Sequence, residues 1–175
     1  MKNSTIFVDS SMAIDCHDIC SLSFLSLALL EEKKLPILFF SSQNYLLVKS
    51  ELNHLKIHSK TYGDYQERVT FNFLKKSLST YENDFFSEFE AKIKNFSGTL
   101  IYFDRIDYFL DFNAYAKYEK ALKKIKGIVE KYHKKIIYIY NSKSSQSPYL
   151  DKALKKHAYI LDFMNKIIRK LPCPH

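Results

Sequence analysis

Glycine is scarce in this chain: Gly63, Gly98 and Gly127 are the only three in 175 residues, and none is followed by Lys-Ser or Lys-Thr. A phosphate loop of the GxxxxGKS/T type needs glycines so that successive backbone N–H groups close around phosphates while a lysine reaches the terminal ones. The sequence has no such loop, which excludes nucleotide hydrolysis built on one. Cysteine is also sparse. Three cysteines, an odd number, argue against a disulfide scaffold and for a reducing, intracellular setting. Met1-Lys2-Asn3-Ser4 leads straight into Thr5-Ile6-Phe7-Val8, so no signal peptide is expected. The longest apolar stretch, Leu22 to Leu30, is interrupted by Ser23 and Ser26 and is too short for a bilayer, so no membrane partner is expected. Neither a GxSxG elbow nor HExxH occurs, and Ser10, Ser11 and the six histidines form no nucleophile motif.

What is present is a 46% hydrophobic chain rich in Phe, Tyr, Ile and Leu, long enough for one domain with a substantial core. The single domain is expected to span 1–175, with 164–175 as a basic C-terminal tail. Net charge is +8 and unevenly spread. From Phe112 to His175 there are fifteen Lys/Arg against four Asp/Glu, while the rest of the chain is slightly acidic. Such asymmetry favours a polyanionic partner, DNA or RNA, and competes with the plainer reading of a lysine-rich solvated surface.

The periodicity alternates strands with helices. Thr5 to Asp9 reads as a buried strand, followed by a polar loop through Ser10-Ser11-Met12-Ala13-Ile14-Asp15 and a helix from Ser21 to Lys33. Ile37-Leu38-Phe39-Phe40, opened by Pro36, is a second strand, and Ser41-Ser42-Gln43-Asn44 caps a helix over Tyr45 to His54. Leu55 to His58 reads as a weak third strand, and Tyr65 to Lys94 as two helices broken at Ser79-Thr80, with Val69, Phe73 and Lys76 on one side. Leu100 to Phe103 is a strand ending in Asp104. A helix from Asn113 to Tyr132 carries the stripe Tyr118, Leu122, Ile125, Val129 and Tyr132, and Ile136 to Tyr140 is another strand. Asn141 to Pro148 is a polar loop, Tyr149 opens a short helix, and Ala158 to Phe163 is strand-like. This order predicts an α/β fold of three layers, a mostly parallel sheet with helices on both faces.

Gly-Thr-Leu-Ile-Tyr-Phe-Asp-Arg-Ile-Asp-Tyr-Phe-Leu from Gly98 resembles a Walker B strand and its turn, and Ile-Ile-Tyr-Ile-Tyr-Asn-Ser from Ile136 resembles the next core strand of the RecA/KaiC-type ATPase core. Ile37 to Asn44 is similar to the strand after the phosphate-loop helix, with Gln43 where that superfamily often has an acid. The resemblance implies a RecA-like fold. At the phosphate-loop place stands Asp9 to Asp18, with acids that repel a triphosphate, so no cofactor is expected. Non-catalytic members of the superfamily, such as recombinase paralogues and the RecA-like ring of Elongator, serve as assembly or nucleic-acid-binding subunits. The resemblance thus implies an accessory subunit with a protein partner or paralogous subunit.

Asp104 and Asp107 stand at the carboxyl end of a central strand, where open α/β sheets bind ligands, and either keep a switch-point role or simply cap the turn. Asp9, Glu51, Asp104 and Asp107 offer a second reading, a metal-dependent nuclease similar to the PIN type. Cys16, His17, Cys20, Cys173 and His175 have zinc-compatible chemistry, but the two groups lie at opposite ends of the chain, and no metal site is expected. Lys117, Lys120, Lys124, Lys131, Lys134, Lys135 and the loop residue Lys143 are the candidate nucleic-acid contacts, along with Lys123. A protein-only scaffold is the third reading.

Overall fold

Three continuous apolar runs set the architecture. Ile37–Ser41, Leu100–Asp104 and Lys135–Tyr140 form strands that are buried throughout except for Lys135, as strands covered on both faces require. The computed structural model describes residues 11–15, 36–50, 68–74, 78–141, 148–157, 159–162 and 167–169. In chain order the strands are β1 (Ser11–Asp15), β2 (Ile37–Ser41), β3 (Val69–Phe73), β4 (Leu100–Asp104), β5 (Lys135–Tyr140), β6 (Tyr159–Asp162) and β7 (Ile167–Arg169). The helices are α1 (Leu78–Asn95), α2 (Ile106–Phe109), α3 (Tyr115–Lys131) and α4 (Pro148–His157), and residues 45–50 are also helical.

One sheet runs in the order β3-β2-β4-β5-β1-β6-β7. Every pairing is parallel except β6 with β7, so the fold is α/β with a mostly parallel sheet. β5 lies between β1 and β4, which brings the carboxyl tips of these three strands side by side. On one face Leu38, Phe40, Ile101, Phe103, Ile136 and Tyr138 share a core with α1 to α4; on the other, Ile37, Phe39, Tyr102, Ile137 and Ile139 are just as deeply buried. Burial on both faces makes this a three-layer arrangement.

Phenylalanine dominates the first face. Phe85 of α1 packs against Phe109 of α2 at 4.6 Å between centroids, Phe103 meets Phe109 at 5.3 Å, and Phe40 meets Phe89 at 4.9 Å. Each such ring contributes about 1.5–3 kcal/mol through removal from water. In α3, Tyr118, Leu122, Ile125 and Val129 are buried as the stripe requires, and Tyr118 donates its hydroxyl to the Phe112 carbonyl at 2.7 Å. Tyr132 is half-buried against the same core. The helix ends on His133 in the left-handed region (φ 52°), with His133 N–H donating to Glu130 O and Lys134 N–H to Val129 O, the paired bonds of a Schellman cap.

Four expectations need correction. Ser11–Asp15, read as loop, is strand β1: between β5 and β6 it gains a hydrogen-bond ladder on both sides, which outweighs its small and polar side chains. Val69–Phe73, read as helix, is edge strand β3, since Val-Thr-Phe-Asn-Phe alternates with period two as well as it fits a helical spacing. The break between two helices expected at Ser79-Thr80 stands instead at Tyr81 (φ −152°, ψ 39°), where two helical segments meet across a kink within α1. Part of the stretch read as a basic tail, Ile167–Arg169, is β7. The expected strands at 5–9 and 55–58 and the helix at 21–33 lie outside the described residues.

Candidate functional site

The parallel strands present their carboxyl tips at one edge, and β2 and β4 meet there in register with Ser41 opposite Asp104. Asp104 is fully buried. Its Oδ2 accepts two neutral donors, the Ser41 hydroxyl at 2.7 Å and the Gln43 side-chain amide at 2.8 Å. Gln43 also donates its backbone N–H to Ser41 Oγ at 3.0 Å, which fixes the Ser41 hydroxyl so that its proton points at the carboxylate. Ser42 donates its hydroxyl to the Arg105 carbonyl at 2.7 Å, tying the turn after β2 to the turn after β4. Asn44 then closes the segment by accepting the Leu46 N–H at 2.8 Å, the helix cap expected from Ser-Ser-Gln-Asn.

Beyond Asp104 the backbone enters the left-handed region at Arg105 (φ 50°, ψ 50°) and turns into α2. The Arg105 guanidinium grips Asp107 with two bonds, Nε to Oδ1 at 3.0 Å and Nη2 to Oδ2 at 2.6 Å, and lies 3.7 Å from the centroid of Tyr108. Burial pulls the Arg105 pKa down, but the Asp107 fork and Tyr108 outweigh it, and the guanidinium sits above its ordinary value. Asp107 is buried and pairs with Arg105, while Asp104 Oδ2 accepts from Ser41 and Gln43. At the tip of β5, buried Tyr140 donates to Asp151 Oδ1 of α4 at 2.8 Å, and Asp151 pairs with Lys155 at 2.5 Å.

The candidate lysines do not gather at this edge. Lys117, Lys120, Lys124 and Lys131 recur at helical spacing along the exposed side of α3, with Lys124 over the Phe86 ring at 4.0 Å and Lys131 paired with Glu90 at 2.6 Å. Lys134 serves the fold, because its Nζ donates to the carbonyls of Phe96 and Gly98 at 2.7 and 2.6 Å and so closes the backbone between α1 and β4. Lys135 opens β5 at the opposite, amino edge. Lys143, Asp9, Glu51, Cys16, His17, Cys20, Cys173 and His175 lie outside the described residues. Among the described residues no three His, Cys, Asp or Glu side chains converge as metal ligands, and no helix is long and apolar enough to cross a membrane.

A scan against protein-family models and a search of curated proteins return no match for this chain. The sequence marked Asp104 by its place at a strand end but missed Ser41 as its partner. The available signal was a hydroxyl residue closing an otherwise apolar strand, where an unpaired polar group is costly.

Proposed function

We propose that this domain is a non-hydrolysing RecA-type accessory subunit that binds nucleic acid through the lysine face of α3. The observation that carries the reading is the state of Asp104. A Walker-type acid must offer its oxygens toward a bound metal, whereas here Asp104 is fully buried and its Oδ2 is held by the Ser41 hydroxyl and the Gln43 amide. The strand order is compatible with this reading: β5 lies between β1 and β4, so Asp15 at the carboxyl tip of β1 stands one strand away from the tip that carries Asp104.

The nucleic-acid part is supported by Lys117, Lys120 and Lys124, exposed on one side of a helix whose other side is locked into the core. Contacts of this kind read phosphates and not bases, so binding is sequence-tolerant and salt-sensitive. The test is fluorescence anisotropy with single-stranded DNA and RNA across a salt series, beside an ATPase assay with Mg²⁺. Expected are negligible turnover, affinity falling steeply with salt, and a log–log slope reduced by about two in a K117Q/K120Q/K124Q variant. ATP hydrolysis that Asp104→Asn abolishes would overturn the first half; salt-independent binding would overturn the second.

A further inference from the structure

On the α1 face of the sheet, the apolar lining stops at β2. Register sets Thr70 beside Leu38 and Asn72 beside Phe40, and Arg68, just before β3, lines the same groove. Between this polar edge and the end of α1 lies an open groove of about 590 Å³, lined by Pro36, Leu38 and Phe96 on its apolar side and by Arg68, Asn72 and Lys92 on its polar side. Two cations and no acid occur among its described lining residues. The volume is that of a small-molecule site.

A solvated edge strand would explain polar residues here, but not the state of Arg68. Its Nε and Nη1 are shut off from solvent and have no hydrogen-bond partner, and the Asn72 amide nitrogen is in the same condition. A guanidinium edge and an amide held dry and unsatisfied are uncommon, because each forfeits its hydration without replacement. Lys92 donates to Asn72 Oδ1 at 2.6 Å, which turns the Asn72 nitrogen away from the lysine and adds a second cation to the groove. The wall is stiff: Phe96 folds over Gly98 so closely that a Cβ there would lie 2.5 Å from Phe96 Cζ, and Lys134 clamps the carbonyls of both residues.

We propose that this groove binds a phosphate group, with Arg68 and Lys92 as its charged partners, Asn72 as a donor, and Phe96 and Pro36 as an apolar shelf for the body that carries it. A guanidinium fork matches phosphate oxygens in two directions, and an arriving oxyanion satisfies the stranded donors after a small side-chain adjustment. The site lies at the β3 side of the sheet, two strands over from the one that carries Asp104, and does not depend on nucleic-acid binding by α3. Its phosphate belongs either to a free phosphomonoester or to the diester of a strand.

Isothermal titration of the full chain with adenosine 5′-monophosphate tests this, with inorganic phosphate, unphosphorylated adenosine and a short oligothymidylate as competitors. Saturable binding is expected, displaced by inorganic phosphate and not by adenosine, and weakened about tenfold or more in Arg68→Gln and Lys92→Gln. Displacement by the oligothymidylate assigns the diester source, and its failure to displace assigns the free monoester. Absence of binding by the monophosphate, phosphate and oligonucleotide alike, or equal affinity in wild type and Arg68→Gln, would overturn the proposal. Ligand-free Arg68→Gln should melt no lower than wild type; a clear fall would show that Arg68 serves the fold, which also overturns it.

Discussion

The Gln43 side-chain amide reaches Asp104 Oδ2 at 2.8 Å across 61 positions of sequence, and through its backbone N–H it also orients Ser41, the second donor to that oxygen. An amide can donate where a carboxylate can only repel, so the identity of residue 43 decides whether the buried acid rests in a stable bracket. Gln43→Glu should cost about 2–4 kcal/mol near neutral pH through lost donation and like-charge contact. The facing carboxyls would hold a proton at higher pH than free ones do. The folded variant then binds more protons than the unfolded chain, and its stability, fullest in acid, declines as pH rises through the raised value. Urea denaturation at about pH 4.5 and about pH 8 checks this: the gap to wild type must be larger at the higher pH.

Arg105 and Asp107 form a pair whose side chains are 19% and 0% exposed. Removing the cation alone strands a buried carboxylate, and Arg105→Gln should destabilise by about 3 kcal/mol. The double variant Arg105→Gln/Asp107→Asn should recover part of that loss. A double-mutant cycle in chemical denaturation measures the coupling.

His157 closes α4 with its Nε2 3.6 Å from Glu119, while Glu119 is bonded to Lys156. Burial depresses the imidazole pKa below its ordinary 6.5, and Glu119 offsets this only in part, with Lys126 and Lys156 adding to the depression. The unfolded chain therefore protonates first as pH falls. Stability from this group is complete above about pH 6.5 and is lost below it. His157→Gln should flatten the acid limb of melting temperature against pH between about pH 7 and 5.5 relative to wild type.

The two described glycines have opposite prognoses. At Gly127, on the exposed side of α3, an added Cβ meets nothing within 4 Å, so Gly127→Ala should stabilise by about 0.5–1 kcal/mol. At Gly98 a Cβ would collide with Phe96 and touch Pro36 at 3.0 Å, and Gly98→Ala should destabilise by about 1–3 kcal/mol. Thermal melts of the pair read both signs in one experiment.

These particulars also show why some of the molecule was legible in sequence and some was not. β2, β4 and β5 announce themselves as unbroken apolar runs, and the α3 stripe recurs at spacings that only a helix makes contiguous. Ser11-Met12-Ala13-Ile14-Asp15 carries no comparable signal, because its strand character comes from the neighbours on either side and not from its own residues. Val69 and Phe73 stand four apart, which serves helix and strand equally until the alternating Thr70 and Asn72 are placed on one face. Asp104 was visible as an acid at a strand tip. Its donors were not, since Ser41 becomes its neighbour only through a register fixed between distant segments.

β1 sits near the start of the chain yet is stitched only to β5 and β6, on the order of a hundred positions later. During synthesis, β2, β3 and β4 can zip together while the strand destined for the middle waits without a seam on either side. Pairing of β1 is therefore expected to follow that of β2 with β4, since its ladder partners come later in the chain. Clipping the chain after β4 would accordingly release its beginning, leaving a hairpinless half-sheet with a greasy flank open to wrong partners.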